Sequence, residues 1–217
     1  MANSPKRVWI PIILLVSAIL ACNLATVSDS GALPESEITP VNTNDWVAYT
    51  GRNVRVGAPA ATWGQVPSDA AEATLILADW RVRDPSVANV FEALTRLASD
   101  PNSRLVLMRN DGIAWLRVWV QPLGDLTFQE FLDQTAATLT NLGMAPYNKR
   151  QVTLSVGDAV RWETQSSPPG SRIINRQYQY WVVIDSNVYI LNFSAQAADF
   201  DSLAPIFESM ALSFWIF

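Results

Sequence analysis

The chain has 217 residues, with 15 basic and 20 acidic side chains, no histidine and a single cysteine. The missing histidine excludes Ser-His-Asp and Cys-His catalysis, histidine acid–base work and most zinc sites. A net charge of −5 argues against a nucleic-acid partner, which needs a basic footprint.

Lys6 and Arg7 precede an uncharged, mostly apolar run over residues 8–21. That run falls short of the roughly 20 residues a membrane-spanning helix needs, and its basic flank fits a cleavable signal segment. Pro11 and the short run argue against an uncleaved anchor. The run closes on Ile19-Leu20-Ala21-Cys22, which resembles the bacterial lipobox. The resemblance implies that Cys22 receives a diacylglyceryl group and becomes the N-terminus after cleavage. Asn23 follows it rather than aspartate, so the usual inner-membrane retention signal is absent. The expected location is the outer face of the plasma membrane or the outer membrane.

Cleavage would leave 13 basic against 20 acidic side chains, a charge near −7, which disfavours broad docking on anionic lipid. Three segments follow: a signal at 1–21, a lipidated N-terminus with a flexible tether at 22–45, and one folded domain at 46–217. The tether is rich in Thr, Ser, Asp, Asn and Pro, a composition that stays extended and mobile.

Two short strand candidates open the domain, near residues 46–49 and 53–56. The segment 72–82 is ambiguous, with a helical leaning at its Ala-rich start. Val87, Val90, Phe91, Leu94 and Leu97 recur at helical spacing, with Asp84 as N-cap, Pro85 at the first helical position and Asp100-Pro101 as the stop. Alternating stretches at 105–108 and 113–120 flank Asn110-Asp111-Gly112, a hairpin signal. A second helix is predicted from Phe128, Phe131, Leu132, Thr135, Leu139 and Leu142, with a Thr127–Glu130 capping box and Gly143 as the stop. Strands at 152–156 and 159–165 flank Gly157-Asp158. Strands at 173–184 and 188–195 flank Asp185-Ser186-Asn187, after a turn at Ser167-Pro168-Pro169-Gly170. A last helix carries Phe200, Leu203, Phe207, Met210 and Phe214, with Pro205 tolerable only in its first turn. Strands joined by tight turns are antiparallel, so the fold class is α+β.

Four stretches resemble the PsbP-like family, relatives of the extrinsic oxygen-evolving-complex protein that include bacterial lipoproteins. Trp46 and Tyr49 lead towards Pro59 and Trp63, and Gly157-Asp158-Ala159-Val160-Arg161 is similar to a Gly-x-Ala-x-Arg strand. Residues 189–195 resemble the penultimate strand. Phe200, Pro205, Phe207, Met210, Ser213 and Phe214 resemble the closing helix. The resemblance implies an α/β/α sandwich with a central antiparallel sheet, and binding or assembly roles rather than a shared set of functional residues.

The most specific constellation is on the strand at 113–120. Alternation turns Leu116, Val118 and Val120 one way and Trp115, Arg117 and Trp119 the other. A Trp-Arg-Trp face can stack a sugar ring or bind an anionic or aromatic partner, but in a sheet between helices the favoured reading is that a helix covers it, with the tryptophans in the core and a carboxylate pairing the arginine. Of Arg161 and Trp162, at most one can join that face. Lys149, the only lysine after residue 21, falls in an expected loop, where it would be solvated. Asp199 and Asp201 read as helix-start caps, and Asn110-Asp111-Gly112 as a turn rather than a calcium loop. The expected function is a membrane-tethered, non-enzymatic module with a protein partner, no cofactor and no metal. The alternatives are a hydrolase with paired carboxylates and a carbohydrate-binding module with an open aromatic pocket.

Overall fold

Two antiparallel sheets carry the chain in the computed structural model, which describes residues 33, 40–167 and 173–217. The expected signal, Cys22, most of the tether and the turn at 168–170 lie outside the described residues. Among the described residues, no helix is long and apolar enough to cross a membrane.

The small sheet has the order β1-β2-β10, from β1 (Trp46–Thr50), β2 (Val54–Pro59) and β10 (Trp215–Ile216). The main sheet has seven strands. They are β3 (Trp63–Gln65), β4 (Ser103–Arg109), β5 (Ala114–Pro122), β6 (Tyr147–Leu154), β7 (Gly157–Ser166), β8 (Asn175–Ile184) and β9 (Asn187–Gln196), in the order β3-β4-β5-β9-β8-β7-β6. Four helices pack around it: α1 (Ala70–Arg83), α2 (Pro85–Ala98), α3 (Phe128–Asn141) and α4 (Ala197–Leu212).

Alternation along β5 sorts the layers. Ala114, Leu116, Val118 and Val120 are buried, and the first three join Phe200, Leu203, Phe207 and Met210 of α4 in the largest core. Val54, Val56 and Ala58 bring the small sheet into the same core. On the opposite face, Phe91 and Leu94 of α2 cover Val106 and Met108 of β4. Phe131 and Leu132 of α3 cover Trp162, Trp181 and Ile190. The fold is therefore α+β, a central antiparallel sheet between helical layers, as expected.

Local chemistry explains most boundaries. The Asp84 side chain accepts from the amides of Ser86 and Val87 at the start of α2. Thr127 and Glu130 make the reciprocal capping box of α3, and Gly143 ends it in a left-handed conformation, φ 77°. Asp185 and Ser186 both have positive φ, 48° and 64°, which matches the tight turn joining β8 to β9.

Five expectations are corrected. The β6–β7 turn is Ser155-Val156, and Gly157 and Asp158 already pair in register with Leu154 and Thr153. Lys149 is on strand β6, not in a loop, beside an interruption of the register between Tyr147 and Arg150. Leu142 is 66% exposed, because it caps α3 beyond the last turn that touches the sheet. Pro205 lies well inside α4, on its exposed side, where water can take the carbonyl its missing amide leaves free. Neither Asp199 nor Asp201 caps α4, whose N-cap is Gln196 without a side-chain bond; Asp199 does lie in the first turn, where its charge favours the dipole, and Asp201 pairs with Arg176 at 2.7 Å.

Candidate binding face

β5 presents Trp115, Arg117 and Trp119 on the sheet face away from α4. Register extends this trio into three rows. Trp115 is followed by Ser194, Gln177 and Thr164; Arg117 by Asn192, Gln179 and Trp162; and Trp119 by Ile190, Trp181 and Val160.

The rows differ in chemistry. The Trp119 row is apolar and lies in the cluster under α3. Trp115 packs at the margin of the cluster under α2. The two tryptophans thus belong to different helical layers, and both are half-buried. Arg117 stands between them. Its Nη2 donates to Asp100 at 2.8 Å and its Nε to Ser103 at 2.7 Å, while the guanidinium lies 5.0 Å from the Trp119 ring centroid. Its side chain is 13% exposed. Burial pushes its pKa down, and Asp100 works against that shift. The guanidinium is occupied by a carboxylate, the paired arrangement expected for Arg117, and the cation is committed inside the protein.

Beyond Arg117 the strip is made of amides and hydroxyls. Trp162 Nε1 donates to Gln179 Oε1 at 2.5 Å, Gln179 Nε2 donates to Gln177 Oε1 at 3.2 Å, and Thr164 Oγ1 donates to the same oxygen at 3.2 Å. Asn192 Oδ1 is buried with no hydrogen-bond partner. At the far end, Lys149 Nζ sits 5.3 Å from the Trp162 ring centroid. Of the pair Arg161 and Trp162, it is Trp162 that joins this face. The amide strip was missed in the sequence, although Asn175, Gln177 and Gln179 alternate with larger side chains and mark one polar face of β8.

Arg161 faces the α4 side, where it meets a second polar cluster. Its Nη1 donates to Glu208 of α4 at 2.6 Å, and its guanidinium lies 4.6 Å from the Tyr178 ring centroid. Arg176 pairs with Glu163 at 3.0 Å and with Asp201 at 2.7 Å, over the Phe200 ring at 4.4 Å. Burial opposes the charge of Arg161, and Tyr180, Tyr178 and Glu208 outweigh it, so its pKa is raised. Burial also pushes up the hydroxyls of Tyr178 and Tyr180. Glu163 and Glu208 are each taken up by a guanidinium, which leaves neither open to a substrate. Among the described residues, no group of acidic, histidine or cysteine side chains could hold a metal ion.

No family profile matches the chain, and no curated protein does. Among solved structures, it is similar to cyanobacterial PsbP from Synechocystis sp. PCC 6803, with 10% identity and a TM-score of 0.48, over 84% of this chain and 98% of that one. It is also similar to a protein of unknown function from Pseudomonas aeruginosa described as a putative regulator, with 11% identity and a TM-score of 0.42, over 78% of this chain and 96% of that one.

Proposed function

We propose that this chain is an exported lipoprotein, held by a lipid on Cys22, whose folded domain is a non-enzymatic binding or assembly module for a protein partner at the cell surface. The observation that carries the reading is the amide strip. A sheet face between helices gains most from apolar side chains, and a buried acceptor without a partner costs about 1–3 kcal/mol. Gln177, Gln179 and Thr164 bond among themselves, but the unpaired Asn192 Oδ1 is costly for the fold alone, and a partner docking along the strip that donates to it would offset that cost.

The lack of histidine in the sequence and the commitment of Glu163 and Glu208 to arginines support a module that does no acid–base chemistry. They weigh against the paired-carboxylate hydrolase. A second reading is a carbohydrate ligand, favoured by the half-buried Trp115 ring in the same row as Gln177, since rings and amides together suit a polyol; Trp162 is fully buried and takes no part.

The test uses native membranes. A photo-crosslinking residue at Gln177 should trap one discrete partner, and the same residue at exposed Asp133 on α3 should not. Identical products from both positions, or none from Gln177, would count against the protein partner. Binding of a defined glycan, lost in Asn192→Ala without loss of folding, would favour the second reading. For the anchor, Cys22→Ser should abolish the lipid mass and leave the precursor uncleaved.

A further inference from the structure

The arginines of this protein are not used alike. Arg81, Arg83, Arg96, Arg109, Arg117, Arg161 and Arg176 each have a carboxylate partner. Arg52, Arg55, Arg104 and Arg150 have none among the described residues. Arg150 is on the edge strand β6, and the other three lie at one end of the molecule, where the Arg52 guanidinium donates only to the Pro101 carbonyl at 3.4 Å. The amide of Arg52 donates to the carbonyl of Arg104 at 2.9 Å, and both residues line a surface cavity of about 220 Å³ with Thr50 and Gln65. Thr50 is the register partner of Arg55. Arg104 is the extra residue where the β4–β5 register shifts between Ser103 and Leu105, and such a bulge re-aims a side chain. The neighbouring Asp100 is held by Arg117.

The same end carries exposed aromatic surface. Trp215 pairs in register with Arg55 and is 46% exposed, and Phe217, two residues further on, is 64% exposed. Tryptophan with arginine at a surface is the chemistry of a membrane–water interface, where the ring sits at headgroup level and the cation meets phosphate. Arg55 and Trp215 of this patch are on the small sheet, which begins at Trp46, directly after the expected tether, and Arg104 borders it from β4.

We infer that Arg52, Arg55, Arg104, Trp215 and Phe217 form a docking surface for the anionic lipid headgroups of the membrane that holds the anchor. The inference rests on the lipid-anchor reading for its geometry. The negative charge of the whole protein opposes broad electrostatic docking, but charges beyond roughly 8–10 Å are screened at physiological salt, so the local cluster governs contact. The amide strip stays available to a partner while the small sheet rests on the lipid.

The full chain, extracted from membranes and reconstituted into vesicles, tests this. Vesicles carry bromine-labelled acyl chains, with phosphatidylglycerol either present or replaced by phosphatidylcholine. The quenching that belongs to Trp215 is the difference between the native chain and Trp215→Phe. It should be strong with phosphatidylglycerol and weak without it. In Arg52→Gln/Arg55→Gln/Arg104→Gln the ratio of docked to undocked protein should fall roughly five-fold per arginine, about 100-fold in all. Arg52 and Arg55 are exposed and Arg104 is partly buried, so an unchanged thermal transition is needed to show that the variant folds. Equal quenching in Trp215→Phe, or no dependence on phosphatidylglycerol, would overturn the proposal. So would displacement by inorganic phosphate beyond that of sodium chloride at matched ionic strength, which would make the patch a free-anion site. Mass spectrometry of the same preparation reads the lipid on Cys22, so loss of the anchor reading is seen separately from loss of the docking surface.

Discussion

Arg161 and Glu208 meet at 2.6 Å between β7 and α4, with 5% and 22% of their side chains exposed. Such a pair contributes modestly while intact, because desolvation offsets its attraction. Breaking it is different. Glu208→Ala leaves a guanidinium buried against Tyr178 without its counter-charge and should cost about 3 kcal/mol. The paired change Arg161→Met/Glu208→Leu should cost clearly less. Urea denaturation of the two variants measures the difference, and equal losses would show that the charge pairing is not what matters.

The tyrosines beside that pair set an alkaline limit. Tyr178 and Tyr180 have pKa values raised by burial, so the folded state keeps protons that the unfolded chain gives up. Their contribution is complete below the unfolded value of about 10 and is lost as pH rises past it. Thermal melts should therefore fall steeply above about pH 10. Tyr180→Phe removes a buried hydroxyl that stands beside the Arg161 guanidinium. It should cost less than about 1 kcal/mol at neutral pH and flatten the alkaline fall.

Gly51 is required by contact rather than by torsion. A Cβ there would lie 1.9 Å from the carbonyl oxygen of Arg104, so the β1–β2 turn could no longer rest on the bulge in β4. Gly51→Ala should destabilise by about 2–3 kcal/mol. At Gly64 the nearest atom to a new Cβ is Asn110 Oδ1 at 3.6 Å, an ordinary contact. Gly64→Ala should shift stability by less than about 1 kcal/mol, and calorimetry of the two proteins gives the comparison.

Pro205 removes a hydrogen bond from the middle of α4 on the side that faces water. Pro205→Ala should restore that bond and stabilise by about 2 kcal/mol, once the looser unfolded chain is allowed for. The expected rise in melting temperature is about 4–8 °C. No rise would mean that the helix is bent there to fit the sheet, which a backbone measurement of α4 would detect.

The elements with their own punctuation were legible in the sequence. Asp84-Pro85, the Thr127–Glu130 box and the two positive-φ residues at 185 and 186 each place a boundary by chemistry within a few residues. β3 and β10 carried no such signal. They are three and two residues long, and only their partners β4 and β2 make them strands. Gly157 drew the β6–β7 turn towards itself because a glycine at positive φ reads as a turn; here it opens the strand at φ 131°. The candidate face was half legible. Alternation gave the directions of Trp115, Arg117 and Trp119, but the Asp100 that occupies Arg117 comes from the end of another element. The amide strip runs over four strands, and only the β8–β9 hairpin, which sets Gln179 opposite Asn192, is local in the sequence. Pairing across elements is invisible until the sheet order is known.

The small sheet joins distant parts of the chain. Gly57 donates to Ser213 Oγ across 156 positions, the Val41 amide donates to Ser209 across 168, and Ile216 pairs with Val54. Contacts of that span contribute least to early collapse, since their loops must close before they are rewarded. The consequence is kinetic. The β4–β5 hairpin and the β6–β9 meander can form locally before β5 joins β9, whereas the small sheet is complete only when β10, from the far end of the domain, joins β2. Amide exchange should accordingly be fastest among the strands in β1, β2 and β10, and a cut at either end of the domain should loosen the other.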